Sequence, residues 1–215
     1  MKITIVVADD HDLVRMGIVR MLADVAHFDV VGQAKSGEDA IRLARELRPN
    51  VVLMDVKMPG IGGLEATRKV IAICDSIKVI AVTACSDDLY TDRLMKAGAS
   101  GYVTKEAGFD EIEKAVTTVF NGGRYMSSDI AQQLALRSFS DAADRSPFEE
   151  LSERELQTAV MISNGMKAND IAESFCISPK TVNSYRYRIF EKLKLSTDVE
   201  LALLAVRHKL LDVDH

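Results

Sequence analysis

Through the first 120 or so residues, short apolar runs alternate with stretches in which apolar residues recur at helical spacing. Ile3–Ala8 is a run that stops at Asp9-Asp10, a buried strand ending on carboxylates. Leu13, Ile18, Met21-Leu22 and Val25 then follow a helical period, with Asp12 as the expected N-cap. Phe28–Ala34 reads as a second strand, and Ser36-Gly37-Glu38-Asp39 opens a helix with Ala40, Ile41, Leu43, Ala44 and Leu47 on its apolar face. Val51–Asp55 has the pattern of a strand buried on both faces and breaks at Pro59-Gly60. A helix over 64–74 precedes a fourth strand, Ile77–Val82, which ends at Thr83-Ala84. Asp87–Ala97 predicts a helix closed by Gly98. Gly101–Thr104 is a short fifth strand ending at Lys105, and Phe109–Phe120 is the helix after it.

Five strands alternating with five helices predict an α/β fold, a doubly wound five-stranded parallel sheet. Right-handed crossovers place every strand C-terminus on one edge. Asp9, Asp10, Asp55, Thr83 and Lys105 therefore meet on one face, near the switch point where such sheets bind ligands.

Beyond Met126 the alternation stops. Ile130–Leu136 is a short helix, and Ser138–Pro147 is Ser-, Asp- and Ala-rich without apolar period, a linker by composition. Helices follow: one from the Ser152/Glu155 capping box to Asn164, one over 169–175, one opened by Ser178-Pro179 and running to Leu193, and one over 199–210. The expected organisation is residues 1–122, an α/β domain; 123–147, a linker with a short helix; and 148–215, an all-α domain containing a helix-turn-helix.

A chain of 215 residues suits one large or two small domains, and a net charge of −5 excludes a general polyanion binder. Three dispersed cysteines, Cys74, Cys85 and Cys176, fit a reducing compartment and offer no zinc spacing. The N-terminal apolar run is too short for a signal sequence and no run could span a membrane, so a cytoplasmic, membrane-free protein is expected. His11, His27, His208 and His215 are scattered, with surface or marginal packing expected for each.

Charge enters where the strands end. Carboxylates clustered at one sheet edge repel unless a cation intervenes, and Mg2+, which takes one or two carboxylates and phosphate oxygens, suits them. Lys105 adds a positive charge and Thr83 a hydroxyl donor, the parts for in-line phosphoryl transfer to Asp55. Taken singly, Asp9 and Asp10 read as helix caps, Thr83 as strand filler and Lys105 as a solvated cation; all together at successive strand ends, they read as a site. A phosphatase of the haloacid dehalogenase type would want a second carboxylate two residues after Asp55, where Lys57 stands. In the C-terminal part, residues 178–194 carry five basic side chains against one acidic, while 148–215 carry nine against eleven. That helix reads either as a solvated amphipathic face or as a nucleic-acid-binding element. The 199–210 helix, with Leu201, Leu204, Ala205 and His208, reads as core, with or without a dimer contact.

Asp9-Asp10-His11, Asp55 with Met58-Pro59-Gly60, Thr83-Ala84 and Gly101–Lys105 resemble the flavodoxin-like receiver domain of bacterial two-component response regulators over residues 1–122. The resemblance implies that Asp55 accepts a phosphoryl group from a sensor histidine kinase. It implies Mg2+ held by Asp10 directly, Asp9 through water, Asp55 and the backbone carbonyl of Lys57. Thr83 and Lys105 would contact the phosphoryl group, and Thr83 and Tyr102 would form a switching pair, with Tyr102 turning inward on activation. Glu106 departs from the Pro that many receivers have after the lysine.

Leu151–Glu155, Gly165, Asp170-Ile171-Ala172, Ile177–Val182 and Lys192-Leu193 resemble the LuxR/FixJ-type DNA-binding domain over 148–212. That likeness implies a recognition helix in the major groove of promoter DNA. Its contacts would come from Lys180, Thr181, Asn183, Ser184, Arg186, Tyr187, Arg188 and Lys192. The two together are similar to the NarL/FixJ class of response regulators, and the wording around 58–69 and 183–188 to its GacA/UvrY/VarA branch. The branch implies a hybrid sensor kinase of the BarA/GacS type, promoters of small regulatory RNA genes, and a homodimer on DNA or when phosphorylated. A receiver whose output domain binds protein or RNA is the other regulatory reading.

Overall fold

The computed structural model describes residues 2–83, 88–138, 146–208 and 210–211. Ala84, Cys85, Asp87, His215 and the linker stretch 139–145 lie outside the described residues. The chain divides into two compact units, Met1–Ser138 and Phe139–His215.

The first unit is built on a parallel sheet with strand order β2-β1-β3-β4-β5-β6. The strands are β1 Ile3–Ala8, β2 Phe28–Ala34, β3 Val51–Asp55, β4 Lys78–Thr83, β5 Gly101–Thr104 and β6 Tyr125–Met126. All five residues of β3 are buried, as its unbroken apolar run requires of a central strand covered on both faces. Helices α1 Asp12–Ala23, α2 Gly37–Leu47, α3 Gly62–Ile73, α4 Asp88–Ala97 and α5 Phe109–Phe120 form the crossovers. The main core joins Ile5, Val7, Leu53, Ile80 and Val103 of the sheet to Ile18 and Leu22 of α1 and Ile112 and Val116 of α5.

Among the described residues six strands are present, where the sequence pattern gives five. The extra one, β6, is two half-buried residues long, too short to show a period, and its register is fixed by pairing Gly101 with Tyr125 and Tyr102 with Met126. Helix α6, Ser128–Ser138, follows and packs on the first unit. Ile130, buried, and Leu134 join Tyr102, Leu94, Ala97 and Val56 in a second core cluster. The first unit therefore runs past residue 122 into the stretch expected as linker. Asp12 does not cap α1: His11 is the N-cap residue, and the Asp12 carboxylate is bound by Arg15 and Lys35 instead.

Among the described residues the second unit has a 3-10 turn at Pro147–Glu150 and four helices: α7 Glu153–Ser163, α8 Ala168–Phe175, α9 Pro179–Leu193 and α10 Asp198–Arg207. The capping box predicted at Ser152 forms in full with Glu155. Another, Thr197 with Glu200, starts α10. Phe148, Leu156, Ile171, Ile189 and Leu201 are fully buried, one or more from each element, which makes the packed core of the helix-turn-helix unit. Among the described residues no helix is long and apolar enough to cross a membrane.

Candidate functional site

Strand register assembles the first constellation. Ala8 pairs with Met54, Asp55 with Val82, and Thr83 with Thr104, so the residues after β1, at the end of β3 and β4, and after β5 are level with one another. Lys105 Nζ lies 2.9 Å from Asp55 Oδ2 and 3.1 Å from Asp9 Oδ2. Lys57 N–H donates to Asp55 Oδ1 at 3.2 Å. Asp9 and Asp55 are almost wholly buried, Asp10 and Lys105 partly so.

The buried guanidinium of Arg15 donates to the Asp9 carbonyl at 2.7 Å, which fixes the turn out of β1. His11 N–H donates to Asp9 Oδ1 at 2.7 Å, and its ring Nδ1 is 2.8 Å from Asp10 Oδ1. His11 is thus drawn to the carboxylates, although 57% of its side chain is exposed. A histidine beside two aspartates carries no sequence signal of where its ring turns.

Burial pushes the Asp55 carboxyl up to about 7, and the Asp9 charge adds to that rise, while Lys105 and the Lys57 amide oppose it. Burial disfavours the Lys105 ammonium, but Asp55 and Asp9 outweigh it and raise its pKa. Asp9, Asp10, His11 and Asp55 can each turn one ligand atom into a common space within 4.8 Å. Among the described residues, Asp9 Oδ2 and Asp10 Oδ1 are buried without a properly aligned hydrogen bond, even with a cationic or imidazole nitrogen close by. Hard oxygen donors with unused lone pairs suit a hard divalent cation.

Thr83, buried, ends β4, and its carbonyl accepts the Lys105 N–H at 2.8 Å. Tyr102 is already inward, 4% exposed, with its ring in the cluster that includes Ile130. Among the described residues its hydroxyl has no hydrogen-bond partner, and burial raises its pKa.

The second constellation lies on α9, capped by Ser178, whose hydroxyl accepts the Thr181 N–H at 3.2 Å. Val182, Ile189 and Leu193 face the core, as their spacing predicts. Lys180, Ser184, Tyr187 and Arg188 are exposed and Thr181 and Asn183 half-buried. Two expected contact residues have partners within the unit. Arg186 makes a bidentate pair with Asp198 at 2.8 Å for both bonds and lies over the Phe190 ring. Lys192 Nζ is 2.6 Å from Glu155 Oε2 and also donates to the Glu150 carbonyl at 3.2 Å. Burial opposes the Glu155 charge, yet Lys192 and the Ser152 bonds hold its carboxyl below the usual range. On α10, Leu201 and Ala205 are buried while Val199, Leu203 and Val206 form an exposed apolar stripe.

Residues 5–117 match the family profile described as response regulator receiver domain, and residues 149–205 the one described as bacterial regulatory proteins, luxR family. The chain is 61% identical over 210 residues to the response regulator GacA of Pseudomonas aeruginosa, covering 98% of both chains. It is 49% identical over 212 residues to the response regulator UvrY of Escherichia coli, covering 99% of this chain and 97% of the relative. A solved structure of the RcsB response regulator from Salmonella typhimurium shares the fold with a TM-score of 0.75 at 20% identity, over 96% of this chain and 98% of that one.

Proposed function

This chain belongs to the response regulators that pair a receiver domain with a luxR-family domain, and from that premise we propose that it is a phosphorylation-activated transcriptional regulator whose phosphoacceptor is Asp55. The observation that carries the reading is the Lys105 ammonium 2.9 Å from the Asp55 carboxylate and 3.1 Å from Asp9, with Asp10 in the same pocket.

Phosphoryl transfer is an in-line displacement. An Asp55 carboxylate oxygen bonds to phosphorus as the P–N bond of a phosphohistidine breaks, and that bond's electron pair stays on the donor's imidazole nitrogen. Lys105 and the Thr83 hydroxyl hold the transferred phosphoryl oxygens. Mg2+, when bound, would neutralise charge on those oxygens. Asp10 would hold it directly and Asp9 through water, with Asp55 and the Lys57 backbone carbonyl completing the protein ligands. Thr83 and Tyr102 form the switch, and the inward Tyr102 ring is the conformation that phosphorylation favours. The donor is a histidine kinase, of the hybrid BarA/GacS type on the relation to GacA and UvrY. Helix α1 starts beside the pocket and exposes Leu13 and Met16, an apolar patch on which a donor protein can rest.

The DNA-binding reading rests on α9. Lys180, Thr181, Asn183, Ser184, Tyr187 and Arg188 form its contact face in the major groove, and Arg186 and Lys192 set the helix from behind. The targets are promoters of small regulatory RNA genes, bound by a homodimer. The receiver half is tested by incubating the protein with Mg2+ and a small phosphodonor and measuring mass. Wild type gains one phosphoryl group; Asp55→Asn gaining it as well would refute the assignment.

A further inference from the structure

The loop from Val56 to Ile61 carries the Lys57 carbonyl and follows the phosphoacceptor directly. Its two ends are tied by backbone. Val56 N–H donates to the Val82 carbonyl at 3.3 Å, and the Val56 carbonyl accepts the Gly63 N–H at 3.0 Å. The crest is held from another element. Glu38, in the first turn of α2, accepts the Ile61 N–H on Oε1 at 3.1 Å. Gly60, at φ 75°, lies directly under that carboxylate, so that a Cβ there would collide with it. Gly37, next to Glu38, brings α2 against the same loop: a Cβ on it would sit 2.9 Å from the Gly62 carbonyl and from Ile61 Cγ1. Among the described residues Glu38 has no ion-pair partner, so its carboxylate is committed to this loop.

We propose that Glu38 is a positioning residue that clamps the crest of the 56–61 loop and thereby sets the Lys57 carbonyl for divalent-cation binding. This rests on the receiver reading above. A side-chain oxygen that accepts a backbone N–H from another element ties the loop crest to α2. Groups that orient metal ligands without touching the metal commonly control affinity by ten- to a hundred-fold. A loop freed at its crest would let the Lys57 carbonyl and the Lys57 N–H, bound to Asp55 Oδ1, swing together.

The test uses the unphosphorylated full chain as wild type, Glu38→Ala and Glu38→Gln. Mg2+ affinity is read by calorimetry and exchange of the Ile61 amide proton by NMR without metal. Glu38→Ala is expected to weaken Mg2+ about tenfold and to speed Ile61 exchange. Glu38→Gln keeps an acceptor oxygen and is expected to stay within about twofold of wild type. With a small phosphodonor, Glu38→Ala should shift the half-saturating Mg2+ concentration and leave the rate at saturating Mg2+ unchanged. Unchanged Mg2+ affinity in Glu38→Ala overturns the clamp, as does a wild type that binds no Mg2+. Equal weakening in Glu38→Gln overturns it too, since charge and not the hydrogen bond would then be the cause. A wild type that binds Mg2+ but takes up no phosphoryl group defeats the receiver reading, and the titration still decides the clamp.

Discussion

Asp55 sits in the native fold against its own charge, and that has a measurable sign. Its carboxyl is carried from an ordinary 3.8 to about 7, mainly by burial. Between those values the native state holds a proton that the unfolded chain has released, so stability falls as pH rises through the window and is flat above it. The full penalty is at most about 4 kcal/mol above pH 7, at about 1.4 kcal/mol per pH interval of one. Asp55→Asn keeps the shape and removes the ionisation. The first unit of the variant should therefore be more stable than wild type, and the gain should grow by about 2 kcal/mol between pH 5.5 and 8. The assay is chemical denaturation of both proteins in metal-free buffer across that range, followed by far-ultraviolet dichroism. Mg2+ should narrow the difference by stabilising wild type more than the variant, which keeps Asp9 and Asp10 but lacks the Asp55 carboxylate. A gain that is constant or shrinks with pH would refute this reading, because it would mean that Lys105 and the Lys57 amide outweigh burial and make the Asp55 anion a native asset.

Replacing Lys192 with Ala leaves Glu155 buried without its cation, and should cost the second unit about 1–2 kcal/mol in denaturation while leaving the salt dependence of DNA binding unchanged. Lys180→Ala should do the reverse, with no loss of stability and a salt slope shallower by about 1 in filter-binding or anisotropy titrations. Gly63→Ala drives a Cβ into the backbone carbonyl of Asp55 and should destabilise the first unit by about 3 kcal/mol or prevent its folding, read by calorimetry. A Leu13→Ser, Met16→Ser double variant should lose phosphotransfer from a kinase at least tenfold while keeping the small-phosphodonor reaction, and equal loss in both assays would remove the docking role of α1.

Much of the first site was legible because fold rules do the work. Once β1, β3, β4 and β5 are read as parallel strands, Asp9, Asp10, Asp55, Thr83 and Lys105 have no choice but to share an edge. What stayed hidden depends on partners far apart in sequence. β6 is two residues long and exists only because β5 offers it an edge. The apolar side of α6 looks like any short amphipathic turn until Ile130 and Leu134 meet Tyr102. Counting cations on α9 treats Arg186 and Lys192 like Lys180, yet their charges are matched by Asp198, the first residue of α10, and Glu155, in the first turn of α7. Glu155 illustrates the limit well: its capping role is local and readable, whereas its bond to Lys192 spans 37 positions and is not. The Glu38 clamp on Ile61 is of the same kind.

Asp55 at the end of β3 and helix α9, more than 120 residues downstream, are the proposed input and output of the switch. The most direct measurement is promoter-DNA binding by footprinting at fixed salt, with and without a small phosphodonor and Mg2+, for wild type and Asp55→Asn. Phosphodonor should tighten binding by wild type and do nothing for Asp55→Asn. The same response in both proteins, or none in either, would contradict that link.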